Sequence, residues 1–114
     1  MQLIETTITL QELFKMSEKM FDDLVKAVVD IETQDFMVDA DLHSDLERIL
    51  ENNGSKSENL WGINLYPQLY GTEDFIEFDS MINLKPMLGN RTRSVENKDI
   101  QKIIRNIVNK KVIQ

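Results

Sequence analysis

Residues 60–86 read LWGINLYPQLYGTEDFIEFDSMINLKP, and their order in steps of two decides the fold. One face collects Trp61, Ile63, Leu65, Ile76, Phe78, Ile82 and Leu84; the other collects Gly62, Asn64, Tyr66, Phe75, Glu77, Asp79, Met81 and Asn83. Strict alternation of this kind is the mark of a half-buried strand. It predicts one strand near 60–66 and a second near 75–84, joined across Pro67 and Gly71. The link is about eight residues, longer than the two to five of ordinary hairpins. Setting Ile63 opposite Phe78 places Asn64 against Glu77 and Gly62 against Asp79.

Working outward, Val25, Ala27, Val29 and Ile31 alternate with Lys26, Val28, Asp30 and Glu32. The β-branched content favours a strand there, although a helical reading of 24–41 stays open. Phe36, Val38 and Ala40 continue as a second strand after the Thr33-Gln34-Asp35 turn. At the start of the chain, Ile4 to Ile8 is a short β-prone run. Thr9 and Glu12 then form a capping box for a helix near 10–21, with Leu10, Leu13, Phe14, Ser17, Met20 and Phe21 at helical spacing. Leu42, Leu46, Ile49 and Leu50 predict a second helix, capped by Asp41 or by Ser44 with Glu47, and ended by Gly54. Asn97 can cap a last helix whose stripe is Ile100, Ile103, Ile104, Ile107 and Val108. The reading is therefore α+β: a mostly antiparallel sheet of four to five strands, helices packed on one face, in the order (β)αββαββα. The chain of 114 residues reads as one domain, 1–114.

Composition narrows the chemistry. With no cysteine, disulfides, thiolate metal sites and thiol nucleophiles are excluded; with one histidine, so is a multi-histidine metal site within one chain. No cofactor is expected. The start MQLIETTITL lacks a basic, apolar leader, and no stretch approaches the roughly 18 apolar residues of a membrane span. A soluble, cytoplasmic protein without a membrane partner is expected. Charge is uneven: residues 1–84 hold 5 Lys/Arg and 18 Asp/Glu, whereas 85–114 hold 8 and 2. A basic end of that kind meets an acidic body, its own or a second copy's, or else nucleic acid.

The segments VKAVVDIE, DLHSDLE, GSKSENLWGINLYP, FIEFDSMIN and GNRTRSV, in this order before an Ile-rich helix, resemble an uncharacterised prokaryotic family of small domains of unknown function. The resemblance runs from about Lys15 to Val112. It implies a self-contained domain and carries over no catalytic residue.

Four groups are candidates for chemistry. Glu77 and Asp79, two apart on a strand, lie roughly 6–7 Å apart at the backbone and could share a divalent ion or divide acid and base roles. As metal ligands they are weak candidates; a plain polar sheet face is the more ordinary explanation, and a subunit interface is a third. His43, one turn before Glu47, is a candidate base or a locally bonded histidine. Arg91 and Arg93 in GNRTR could cradle an anion ahead of a helix, or reach back to Glu77 or Asp79. Asn64 and Asn83 would add ligand-binding amides to the same face. Lys98, Lys102 and Arg105 share a face of the last helix and could meet nucleic-acid phosphates, although no aromatic platform accompanies them.

Three functions follow. The first is a non-enzymatic interaction module, a homodimer, suggested by the acidic face, its large residues Tyr66, Phe75 and Met81, and the basic end. The second is a small metal-assisted hydrolase or nucleotide-processing enzyme using His43, Glu77, Asp79, Arg91 and Arg93. The third and weakest is an antitoxin-like regulator that binds nucleic acid. The small ligand, if there is one, is not specified by the residues.

Overall fold

The computed structural model describes residues 1–20 and 22–114. Five strands form one sheet: β1 (Gln2–Leu3), β3 (Val25–Asp30), β4 (Phe36–Val38), β5 (Leu60–Leu65) and β6 (Ile76–Glu77). Their order across the sheet is β1-β4-β3-β5-β6, and every pairing is antiparallel. A separate two-stranded parallel pair, β2 (Ile8–Thr9) with β7 (Val112–Ile113), ties the two ends of the chain together. The helices are α1 (Leu10–Ser17), α2 (His43–Asn52) and α3 (Lys98–Lys111). The α+β class and the antiparallel sheet read from the sequence are those of the molecule, and Asn64 does pair with Glu77.

The covering of the sheet is corrected. One face carries Val25, Ala27, Val29, Phe36, Val38, Trp61, Ile63 and Leu65, packed beneath Leu13 of α1 and Ile104, Ile107 and Val108 of α3. The opposite face is not free. Val28, Met37 and Leu60 meet Leu46 and Leu50 of α2 there. The helices therefore lie on both faces, not on one. The cause is visible in β3 and β5, whose out-of-phase positions include Val28 and Leu60; near-continuous apolar runs mark strands covered twice.

The predicted strand 75–84 is also corrected. Only Ile76 and Glu77 pair, because Phe75 ends a 3₁₀ turn and Met81–Asn83 forms another. Phe75 consequently turns into the main core, Phe78 packs against it, and Ile82 packs against the α2 side. Asn83 completes the vacated edge of β5. Its Oδ1 accepts from the Gly62 N–H at 2.8 Å, and its Nδ2 donates to the Gly62 carbonyl at 2.9 Å and to the Arg93 carbonyl at 2.9 Å. A side-chain amide thus stands in for a strand's peptide group.

The helix ends repay comparison with their sequence signals. Thr9 caps α1, accepting from the Glu12 N–H at 3.1 Å, while its hydroxyl donates to the Glu12 carboxylate at 3.1 Å. The helix stops at Ser17, short of 21, where the Ser17 hydroxyl donates to the Phe14 carbonyl and turns follow; Phe21 lies outside the described residues. Neither Asp41 nor Ser44 caps α2; Leu42 occupies that position without a side-chain bond, and the buried stripe is His43, Leu46 and Leu50. Asn97 caps α3 through Asp99 and Ile100 as its spacing implies. Ala40 follows Asp39, whose φ of 74° reverses the alternation and sends Ala40 to the α2 side rather than the main core. The run 4–8 is not one strand; β1 precedes it and β2 begins at its end. Among the described residues no helix is long and apolar enough to cross a membrane.

Candidate functional site

The α2-covered face changes character along the strands. Near the middle, Val28 pairs with Met37 and Gly62 beneath α2. Two residues further, the cross-strand row is Lys26, Asn64 and Glu77. Helix α2 begins at His43, so its apolar stripe does not extend over that row. A polar corner results, built by β3, β5, β6, the first turn of α2 and the segment after β6.

His43 is its best-enclosed ionisable group. Its Nε2 lies 2.8 Å from the Ile63 carbonyl, so that nitrogen carries the proton and donates. Burial pushes the imidazole pKa down; the Lys26 charge acts the same way, while the Ile63 carbonyl, the Asn64 amide and the Asp79 charge oppose it. His43 is seated there because residue 62 is glycine: a Cβ at Gly62 would stand 2.6 Å from both Cβ and Oγ of Ser80 and 3.1 Å from His43 Cδ2.

Asn64 organises the remainder. Its Nδ2 donates to Glu77 Oε1 at 2.8 Å and to the Asp79 carbonyl at 3.2 Å, while its buried Oδ1 has no hydrogen-bond partner. Tyr66 donates its hydroxyl to the same Glu77 oxygen at 3.1 Å. Partial burial, the Glu77 charge and that bond push the Tyr66 pKa up to about 12. Arg93 Nε donates to Asp79 Oδ1 at 2.8 Å, a partly exposed pair. Lys26, His43, Asn64, Tyr66, Glu77, Asp79 and Arg93 therefore share one corner.

Asn83 and Arg91 are not drawn into this corner by any side-chain bond among the described residues. Both polar atoms of Asn83 are bonded to backbone; the backbone N–H of Arg91 donates to Glu96 Oε2 at 2.8 Å, and it is Arg93, not Arg91, whose guanidinium bonds Asp79. The Arg91 N–H, with the Thr92 side chain, holds the Glu96 carboxyl below its ordinary range. Among the described residues no three His, Asp or Glu side chains converge as a metal would require. On α3, the Arg105 guanidinium stands 5.0 Å over the Phe78 ring, so one cation of the basic face packs on the fold.

A second feature had little sequence signal. Residues 85–90 form a tight turn, with backbone bonds from Lys85 N–H to the Asn90 carbonyl at 2.9 Å and from Asn90 N–H to the Lys85 carbonyl at 3.1 Å. Pro86 starts its 3₁₀ segment, and Gly89 takes the left-handed φ of 82° that ends it. Lys85 anchors the base: its ammonium donates to the Ser57 carbonyl at 2.8 Å and sits 5.3 Å over the Trp61 ring. The tip is apolar and projecting. Met87 is 99% exposed and Leu88 52%, with Leu84 at 39% beside them. Beside the tip runs a groove of about 510 Å³, lined by Ile31, Trp61, Leu88 and Ile100 together with Glu58, Asn59, Gly89, Asn90, Glu96 and Asn97. The available signal was the pattern Lys-Pro-Met-Leu-Gly-Asn, a rigid turn enclosing two apolar residues.

No curated protein and no solved structure matches the chain. A family model matches residues 2–111, nearly the whole length. The chain belongs to that family, described as a protein of unknown function, DUF5674.

Proposed function

We propose that the chain is a non-enzymatic interaction module that pairs with a second copy of itself through the turn at 85–90. The observation that carries this reading is Met87, almost wholly exposed at the tip of a turn fixed at both ends. An exposed methionine gains nothing for the monomer. On a pre-organised support it offers apolar area to a partner at little ordering cost. Arg91 follows the tip and Glu58 lines the groove beside it, so opposite charges are available to a two-fold arrangement. Sedimentation velocity at micromolar concentration tests the reading. A dimer is expected for the parent chain, and Met87→Lys should weaken it at least about tenfold, as central apolar anchors do. A parent chain that remains monomeric at about 100 μM, roughly tenfold above the working range of micromolar dimers, overturns it.

A second reading assigns the polar corner to a small polar ligand or to acid–base chemistry, with His43, Glu77 and Asp79 as the reacting groups and Asn64 and Arg93 as binders. The unpartnered Asn64 Oδ1 favours it. Thermal-shift measurements with inorganic phosphate and with nucleoside phosphates test it. Stabilisation that disappears in Arg93→Ala supports the reading; an unchanged melting temperature at millimolar ligand removes it.

A further inference from the structure

We propose that the outer face of α3 lies against the phosphate backbone of duplex DNA. The helix turns Ile104, Ile107 and Val108 into the core, so its opposite side faces solvent. Lys98, Lys102, Asn106, Asn109 and Lys110 occupy that side, and all five are exposed. At 3.6 residues per turn they form one broad stripe, and Lys98 and Lys110 stand about 18 Å apart along the axis. The helix carries a single carboxylate, Asp99, in its first turn. Among the described residues none of the three lysines is in an ion pair. The other cations of the helix are already held: Arg105 over the Phe78 ring, and Lys111 by the carbonyls of Ile4 and Gln34. Glu73 lines the cleft beside Arg105 and Asn109 and bounds the stripe on that side.

Charge and composition choose the partner. Residues 1–84 carry 5 Lys/Arg against 18 Asp/Glu, yet among the described residues none of those carboxylates pairs with the three lysines. Duplex DNA presents one negative charge per about 1.7 Å of its axis, so the stripe spans several phosphates. Lysine ammonium groups and asparagine amides both donate to phosphate oxygens. The centre of the stripe is polar; Ile103, 39% exposed, lies at its flank. Protein–protein interfaces depend on a desolvated apolar or aromatic centre, which nucleic-acid interfaces do not need. No aromatic residue is interleaved with these lysines, which favours a duplex over a single strand that binds by stacking its bases. The acidic remainder of the chain repels the same polyanion and so confines contact to this face.

Fluorescence anisotropy with a labelled, mixed-sequence DNA duplex of about 20 base pairs, longer than the stripe, tests the assignment. Micromolar binding is expected at roughly 50 mM salt, with log affinity falling against log salt at a slope of about −3, from three contacts at about −0.9 each. Lys102→Ala should flatten that slope by about one. Lys98→Ala/Lys102→Ala/Lys110→Ala should weaken binding at least about tenfold, and exposed helix positions accept alanine without loss of helix propensity. Arg48→Ala removes the same charge from α2 across the sheet and should leave binding within about twofold of the parent. No binding at roughly 50 mM salt with about 100 μM protein, above the range of non-specific affinities, overturns the proposal. So does an equal loss in Arg48→Ala and the triple variant, which would make net charge the cause. Binding of the single strand as tight as that of the duplex overturns the choice of a duplex. Displacement of the duplex by polyglutamate as readily as by unlabelled duplex overturns the choice of DNA and assigns the face to an acidic protein.

Discussion

The two faces of the sheet differ in what completes them. The face under α1 and α3 is closed by side chains that match in phase: Val25, Ala27 and Val29 of β3, Trp61, Ile63 and Leu65 of β5, and the Ile104, Ile107 and Val108 stripe of α3. The face under α2 is closed by five buried apolar residues and then by amides, a histidine and carboxylates. The first depends on area removed from water, which tolerates changes that conserve volume. The second depends on particular hydrogen bonds and on one close approach at Gly62, which do not. The comparison teaches where this molecule can be altered silently and where it cannot.

The sharpest way to break the contrast is Asn83→Ala. It leaves the Gly62 N–H, the Gly62 carbonyl and the Arg93 carbonyl without their partner and should cost about 3–4 kcal/mol of unfolding free energy in urea titration. A cost below about 1 kcal/mol, the scale of a single ordinary hydrogen bond, would mean that water replaces the amide and the edge of β5 is not sealed. Next is Gly62→Ala, whose methyl would overlap Ser80 and press on His43. About 2 kcal/mol of destabilisation is expected, in the range for overpacked sites, with recovery when Ser80→Gly is added. Failure of the double variant to recover would place the strain elsewhere.

A third measurement uses pH. The His43 pKa is lowered in the fold, so the unfolded chain binds this proton more readily. Stability from this group is complete above the unfolded value of 6.5 and is lost as pH falls from there toward the lowered folded value. The difference between the parent and His43→Gln, which can still donate to the Ile63 carbonyl, should therefore change between neutral and mildly acid pH. Asp30 does not interfere in that window. Burial pushes its carboxyl up, but hydrogen bonds from Ser55, Thr33 and Glu32 outweigh it and hold the pKa below 3.8. A pH-independent difference would show that the imidazole is not enclosed. The smallest effect is expected from Arg93→Ala. Its bond to Asp79 is partly exposed, and such pairs contribute about 0.5 kcal/mol. A loss above 2 kcal/mol, well outside that range, would make the corner a structural network rather than a candidate site.

Much of the candidate site was legible in the sequence, for a reason that can be named. Asn64 and Glu77 were paired by alternation alone, because period two sorts side chains whatever the connection between strands. His43 was singled out as the sole histidine, yet its burial was not legible: the stripe Leu42, Leu46, Ile49 and Leu50 points a different face of α2 at the sheet than the observed His43, Leu46 and Leu50. Leu42 and His43 are adjacent in sequence, and a rotation of α2 by one residue exchanges them. The Met87 tip carried no periodicity at all. Turns of this kind are fixed by contacts such as Lys85 with Ser57 and Trp61, far apart in the chain.

The chain's own order of residues determined the strands β3, β4 and β5, the caps at Thr9 and Asn97, and the sorting of Asn64 and Glu77 onto one face. These follow from periodicity and from bonds spanning two or three residues, which are local. Tertiary structure alone decided that α2 covers the second face, that the ladder of β6 stops after two residues, and that Asn83 takes its place at Gly62. Each of those depends on which surfaces meet between separate elements, from Leu50 beside Leu60 to Gly62 beside Asn83, and packing of that kind leaves no repeat in the sequence to read.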